Sequence, residues 1–198
     1  MTTFNQIEKF DVGFDFIKGQ PIPDETETIV AFHTLIQRQG LGDTLIDVAN
    51  YLHVTTGPGI LLIGHQAFRT VQLDQAKAGI ILSGRRMKVS SNTSFLEQHL
   101  QALVEFGLAL EAHFGRSLFD ATKLTIRIND RRFKQEENNA QGLLSIVNDA
   151  LEAIGLSVKK LSLRDSDPRE QRAIDVQLKD IDELQVLNSL WKSKDQAA

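Results

Sequence analysis

Two apolar segments joined by a glycine-proline turn constrain the fold of this chain most strongly. Residues 44–69 read TLIDVANYLHVTTGPGILLIGHQAFR. The aliphatic residues on both sides of Gly57-Pro58-Gly59 predict an antiparallel strand pair, because Gly and Pro favour turns and β-branched residues favour strands. A polar group buried unpaired in a sheet costs a few kcal/mol, so polar residues in these strands mark a candidate site. The residues of interest are an aspartate, a tyrosine and two histidines: Asp47, Tyr51, His53 and His65.

The register of this strand pair decides which polar residues meet. If residues 55–59 form the turn, Val54 faces Ile60 and Ala49 faces His65. His65 then lies diagonal to Asp47 and Tyr51, within reach of both side chains. Asp47 and His65 are therefore the candidate catalytic residues, with Asp47 orienting the imidazole for proton transfer.

Three interpretations of the polar residues remain open at this point. The residues hydrogen-bond to one another and complete a core, or they contact a ligand or substrate, or they hold a metal ion. A protein metal site usually needs at least three ligands, and the spacing of His53 and His65 matches no metal motif, so no metal site is predicted. No cofactor is indicated.

The order of secondary structure indicates an α+β protein. After a strand at 10–16, predicted at a sheet edge, the order is roughly α-β-β-β-α-β-α-β-β-α, with a mixed, mainly antiparallel sheet and helices packed on one side. Three capping boxes predict where helices begin. Their residue pairs are Asp24 and Glu27, Ser94 and Glu97, and Asp180 and Glu183.

The chain is expected to form a single α+β domain over residues 1–198. Residues 115–123 are a candidate seam between two α/β halves, and 193–198 are expected to fray. His33 falls on the apolar stripe of the first helix and is predicted to lie in the core, whereas His99 falls beside its helix's stripe and is predicted at the boundary.

Composition narrows the classes of function. The net charge is −4, whereas proteins that bind nucleic acids usually carry a basic excess, so no nucleic-acid partner is expected. The chain has no cysteine, which excludes thiolate catalysis and disulfides. It shows neither a signal-peptide pattern nor an apolar run long enough to cross a membrane. A cytoplasmic protein with no membrane partner is expected.

Basic and amide residues follow two of the predicted strands. Arg85 ends the strand from Gly79, and RINDRR ends the strand at 124–129. If these ends meet, Arg85, Arg127 and Arg131 form a basic patch suited to an anionic small molecule. The candidate binding residues are Tyr51, His53, His65, Arg85, Asn129, Asp130 and Arg131. The alternative interpretation is a solvated strand end with ordinary ion pairs.

The segments LIDVANYLHVTTGPGILLIGHQA, GIILSGRR and RINDRRF together resemble an uncharacterised bacterial family of about 200 residues. The family shows a "DVA(N/D)Y-HV-GPG-L-H" hairpin motif and an "INDR" motif. The resemblance implies a bacterial protein but no activity or cofactor. The family pattern has an acidic residue after the second histidine, where this chain has Gln66.

Three hypotheses about function follow from the sequence. The first is a binding protein for a small, anionic ligand at a polar sheet face, with Arg85 or Arg131 as the charge partner. The second is an enzyme in which His65, oriented by Asp47, acts as general base. The third is a structural protein that forms homo-oligomers through a sheet edge or through the face of Trp191.

Overall fold

A computed structural model describes residues 9–55, 57–73, 79–87, 94–129, 140–164 and 172–195. Within these ranges the chain forms eight strands and four helices. The strands are β1 Phe10–Phe16, β2 Leu45–Asn50, β3 Ile60–Gly64, β4 Ala67–Gln72, β5 Gly79–Gly84, β6 Phe119–Ile128, β7 Val158–Leu163 and β8 Arg172–Leu178. The helices are α1 Glu25–Arg38, α2 Phe95–Phe114, α3 Ala140–Ala153 and α4 Leu184–Asp195.

All eight strands belong to one sheet with the order β2-β3-β4-β5-β1-β6-β8-β7. Every neighbouring pair is antiparallel. The α+β class and the approximate order of elements are thus confirmed. The strand at 10–16 is central rather than at an edge, because β5 and β6 pair with its two sides.

Alternation along β1 and β6 explains why one face of the sheet carries the core. Phe10, Val12, Phe14 and Phe16 are buried, whereas Asp11 and Asp15 point to the opposite face. In β6 the buried residues Leu124, Ile126 and Ile128 pair with Phe14, Val12 and Phe10. Helix α2 packs against β1 and β5, α1 against β2 and β3, α3 against β7, and α4 against β6. The helices thus cover the apolar face.

The predicted register of the 44–69 hairpin is wrong. Strand β2 ends at Asn50, which pairs with Ile60, and Ala49 pairs with Leu61 rather than with His65. The side chain of Asn50 accepts a hydrogen bond from the amide of Leu52, which turns the chain away from the sheet. The loop to Gly59 is therefore longer than expected.

The apolar segment after Gly57-Pro58-Gly59, predicted to be one strand of the pair, forms two strands, and a buried ion pair fixes the turn between them. The Asp43 carboxylate accepts hydrogen bonds from the amides of Gln66 and Ala67 at 3.0 and 3.2 Å. It also pairs with the Arg69 guanidinium at 2.8 Å, and both side chains are almost fully buried. A Cβ atom at Gly64 would overlap the Asp43 carboxylate, so this turn requires glycine.

Two of the three predicted helix starts are confirmed. Asp24 and Ser94 each accept a hydrogen bond from the amide three residues later, and α1 and α2 begin directly after them. The third is wrong, because Asp180 has a φ of 55° and α4 begins at Leu184. An N-cap residue needs extended backbone, which Asp180 does not have.

The observed burial of three further side chains differs from the burial predicted from the sequence. His33 is exposed rather than in the core. Trp191 is only 4% exposed and packs in the core, so it offers no surface for self-association. His99, predicted at the boundary, is 1% exposed.

Strands from both sides of residues 115–123 pair within the one sheet, and β6 itself begins at Phe119. Of the predicted frayed tail, 193–195 belong to α4 and 196–198 lie outside the described residues.

His99 is held in an aromatic pocket between β1 and α2. Its ring centroid lies 4.5 Å from that of Phe10 and 4.3 Å from that of Phe95. Its Nδ1 is 2.8 Å from the carbonyl oxygen of Phe95. Burial lowers the pKa of His99 to about 4, although the contact with the Phe95 carbonyl opposes this shift. The neutral imidazole therefore belongs to the folded state.

We expect replacement of Asp43 by Asn to lower the free energy of unfolding by about 3–5 kcal/mol, because Arg69 would keep a buried charge without its partner. The control is Asp149→Asn on the exposed side of α3, which should change stability by less than about 0.5 kcal/mol. Urea unfolding at neutral pH measures both variants. Equal stability of the two variants would show that the ion pair does not hold the turn.

The His99 pocket predicts acid sensitivity. The folded pKa of His99 is about 4, and an unfolded histidine titrates near 6.5, so the unfolded state binds the extra proton between these values. The free energy of unfolding should fall as the pH is lowered through this window, by an amount on the order of 3 kcal/mol. Burial acts to raise the pKa of Asp43, but hydrogen bonds from Arg69 and Gln66 outweigh it and hold the pKa below its usual value. The loss of the Asp43–Arg69 pair should therefore occur at lower pH than the titration of His99.

Unfolding by urea at a series of pH values checks this expectation. His99→Leu should flatten the pH dependence in that window, whereas the matched variant His33→Leu, at an exposed position, should keep it. An unchanged slope in His99→Leu would mean that another group is responsible.

Candidate ligand-binding groove

The face of the sheet opposite the helices carries most of the polar side chains of its central strands. Alternation and pairing place these side chains in cross-strand rows that run over β4, β5, β1, β6, β8 and β7. The charged or polar members are Asp11, Asp15, Thr70, Gln72, Ser83, Lys123, Thr125, Arg127, Lys160, Ser162, Asp175 and Gln177, and Arg164 follows directly after β7. Because no described helix covers this face, we call it the open face.

Two glycines leave the middle of the open face without side chains. Gly13 of β1 pairs with Ile81, and Gly79 of β5 pairs with Asp15. A Cβ atom at Gly13 would lie 2.6 Å from the carbonyl oxygen of Ile80, and one at Gly79 would overlap the carbonyl oxygen of Phe14. The close approach of β1 and β5 therefore requires glycine at both positions.

The Arg127 side chain uses this gap. Its Nη2 donates a hydrogen bond to Oε1 of Gln72 at 3.3 Å. Arg127 lies on β6 and Gln72 on β4, and β1 and β5 separate these strands. The guanidinium group must therefore extend over the strands that carry Gly13 and Gly79.

A groove of about 610 Å³ lies along this part of the open face. Small-molecule sites commonly have volumes of roughly 300–1,000 Å³. Its lining includes Asp11, Asp15, Gln72, Ile81, Arg127 and Arg164, and the chain after β1, residues 17–20 and Ile22, contributes to its rim. A hollow of about 340 Å³ over β6, β8 and β7 adjoins it and shares Asp15, Lys123 and Arg164 with it.

Two cations at the groove already have carboxylate partners. The Arg164 guanidinium forms a bidentate pair with Asp175, with one Nε–Oδ2 distance of 3.1 Å, and it also contacts the Thr125 hydroxyl. The hydrogen bond to Asp175 raises the pKa of Arg164. Lys123 pairs with Asp120 at 2.6 Å.

Arg127 and Asp15 have no such partners within the described part of the chain. The only hydrogen bond of the Arg127 side chain there is the long one to Gln72, and neither Arg127 nor Asp15 forms an ion pair. Burial lowers the pKa of Arg127, although the nearby Asp11 carboxylate opposes the shift. Burial raises the pKa of Asp15, and Arg164 and Lys123 counteract this only in part. A guanidinium keeps its charge at neutral pH.

Asp11 is half-buried beside Arg127. It accepts a hydrogen bond from Nδ2 of Asn129 at 2.9 Å and another from Ser83. In the register of β1 and β6, its Cα atom lies opposite that of Arg127. Burial raises the pKa of Asp11 despite these contacts. The carboxylate is thus fixed in place at the end of the groove.

The four polar residues of the hairpin lie elsewhere. Asp47 is exposed on β2, and its Oδ1 accepts a hydrogen bond from the amide of Val48. His65 is exposed in the turn after β3. Among the described residues no hydrogen bond joins Asp47 to His65, because the register differs from the predicted one. Tyr51 and His53 are exposed in the loop after β2, with ring centroids 6.4 Å apart.

The strand ends that carry the predicted basic patch do lie at the same end of the sheet. Strands β5 and β6 are both antiparallel to β1, which lies between them, so residues 85 and 129 are on one side. Arg85 is exposed, with its guanidinium carbon 5.4 Å from the centre of the Phe68 ring. Asn129 contacts Asp11, whereas Asp130 and Arg131 lie outside the described residues.

Sequence reasoning missed Asp11, Asp15 and the reach of Arg127 across the sheet. The signal was present in part, since Asp11 and Asp15 alternate with the apolar residues of β1, and Arg127 alternates with those of β6. No group of three or more His, Cys, Asp or Glu side chains suited to a metal ion occurs among the described residues. None of the helices in the described ranges has the length and apolar character needed to cross a bilayer.

Comparisons of the chain with models of protein families, with curated proteins and with solved structures gave no match. The resemblance to a bacterial family therefore stays a prediction, and the open-face groove is the feature from which a function has to be inferred.

Proposed function

We propose that this protein binds a small ligand in the open-face groove and that Arg127 holds an anionic group of the ligand. The single observation that carries the proposal is the Arg127 guanidinium, which lies in a groove of about 610 Å³ without an ion-pair partner among the described residues. By contrast, Lys123 and Arg164 at the same groove each pair with a carboxylate.

Physical reasoning supports an anionic group at this position. Arg is planar and presents several N–H donors in a fixed arrangement, which suits bidentate binding of carboxylate or phosphate. Apart from the 3.3 Å hydrogen bond to Gln72, these N–H donors have no acceptor among the described residues. A half-buried cation gains more from a counter-ion than an exposed one, because the surrounding medium screens the attraction less.

The other two hypotheses from the sequence receive less support. A general base at His65 needs an orienting group, and Asp47 forms its side-chain hydrogen bond with Val48 instead. Self-association through Trp191 conflicts with the burial of that residue. Strand β2 remains a sheet edge with the exposed side chain of Ile46, so self-association through that edge stays a hypothesis.

The proposal predicts that Arg127→Gln weakens anion binding. Titrations of wild type with butyrate, citrate and inorganic phosphate, followed by NMR chemical shifts, should detect binding of at least one of these probes. Loss of a charge-assisted hydrogen bond of about 1.5–3 kcal/mol should weaken that binding roughly 10- to 100-fold. The exposed residue Arg38 provides the control variant Arg38→Gln, which should bind like wild type.

Two results would remove the proposal. One is that none of the probes shifts resonances of residues along the groove, such as Gly13, Thr125 and Ile81. The other is equal affinity of wild type, Arg127→Gln and Arg38→Gln for the probe that binds.

A further inference from the structure

We infer that the ligand of the open-face groove is amphoteric: it carries an ammonium group that pairs with Asp15 as well as the anionic group that pairs with Arg127. The inference rests on the proposed function and goes beyond it, because it assigns a second charge to the ligand. It names a chemical class, small molecules with one acidic and one amino group.

The distribution of charge in the groove carries the inference. Four of the charged side chains form two ion pairs, Arg164 with Asp175 and Lys123 with Asp120. Four other charged residues line the groove without an ion pair among the described residues: Asp11, Asp15, Lys18 and Arg127. Asp11 accepts hydrogen bonds from Asn129 and Ser83, and Lys18 lies on the rim after β1, so Arg127 and Asp15 are the two groups of opposite sign that remain. A ligand that carries one anionic and one cationic group is therefore complementary to Arg127 and Asp15.

The two groups lie close enough to act together. Both line the same groove, and Asp15 acts electrostatically on Arg127. Arg127 lies opposite Asp11, and Asp11 is four residues before Asp15 on β1. The Arg127 side chain nevertheless extends over β1 and β5 towards Gln72. The guanidinium group is thereby brought towards the row that contains Asp15, Gly79 and Gln72.

A simple anion fits this groove less well. An anion bound to Arg127 lies near the carboxylates of Asp11 and Asp15, which repel it. Asp11 accepts hydrogen bonds from Asn129 and Ser83, whereas Asp15 accepts none from the described residues. An ammonium group at Asp15 converts one of these repulsions into an attraction and supplies hydrogen-bond donors to an unpaired carboxylate.

The test compares small molecules of matched carbon-chain length as probes of the 198-residue chain. Wild type is titrated with ω-amino acids from glycine to aminocaproate, with carboxylates of the same chain lengths, and with butylamine, and NMR chemical shifts report binding. We expect the amino acid of best spacing to bind at least about tenfold more tightly than its matched carboxylate, a difference of about 1.4 kcal/mol.

Variants at Asp15 separate this inference from the proposed function. Asp15→Asn should abolish the preference for the amino acid while carboxylate binding stays the same or improves, and Asp15→Lys should reverse the preference. Asp149→Asn, on the exposed side of α3, is the matched control and should keep the wild-type preference.

Each outcome decides one of the two claims. The first case is that carboxylates bind and that this binding depends on Arg127. If the ammonium group then adds no affinity, or if the added affinity persists in Asp15→Asn, the amphoteric ligand is overturned and the proposed function stands. Absence of Arg127-dependent binding of any probe would overturn the proposed function, and the inference with it.

Discussion

Burial of the alternate apolar residues of β1 and β6 beneath the helices constrains every other part of this structure. Both strands lie in the middle of the sheet, and their apolar positions pair directly across from each other. Successive side chains of a strand point to opposite faces, so the charged residues between those positions must lie on the other face. Burial of the apolar residues on one face therefore brings the polar residues of β1 and β6 together on the opposite face. In the sequence, β1 and β6 are separated by α1, α2 and four strands.

The same arrangement explains why the open face has a groove. Gly13 and Gly79 are required where β1 and β5 approach each other, and their missing side chains leave space into which Arg127 extends. Charges that can pair within the sheet do so, as Arg164 does with Asp175. Asp11 instead accepts hydrogen bonds from Asn129 and Ser83, whereas Arg127 and Asp15 have neither an ion pair nor a short hydrogen bond among the described residues. We base the proposed ligand on these two groups because Arg127 is a half-buried charge without an ion-pair partner among the described residues, and Asp15 lines the same groove with the opposite charge.

Prediction from the sequence succeeded where the governing interaction was local. The hydrogen bonds of Asp24 and Ser94 to amides three residues later involve only neighbouring residues, and the starts of α1 and α2 were predicted correctly. It failed where a distant group decided the outcome. The turn after Gly64 depends on the carboxylate of Asp43, and the burial of His99 depends on Phe10 of β1, so neither feature could be obtained from the local pattern. In the hairpin, the predicted pairing of Ala49 with His65 was wrong, because the loop from Tyr51 to Gly59 is longer than the turn motif suggested.

The sequence by itself determined the α+β class, the approximate order of the elements and the face on which each strand's apolar residues lie, because alternation and helix capping are properties of adjacent residues. Only the tertiary structure decided the neighbours of each strand, and with them the candidate site. Asp15 and Arg127 are more than a hundred positions apart in the printed sequence, and nothing local to either residue indicates that they share a groove. Long-range strand pairing depends on the summed burial of the whole sheet rather than on any short segment, which is why the groove becomes visible only in the folded chain.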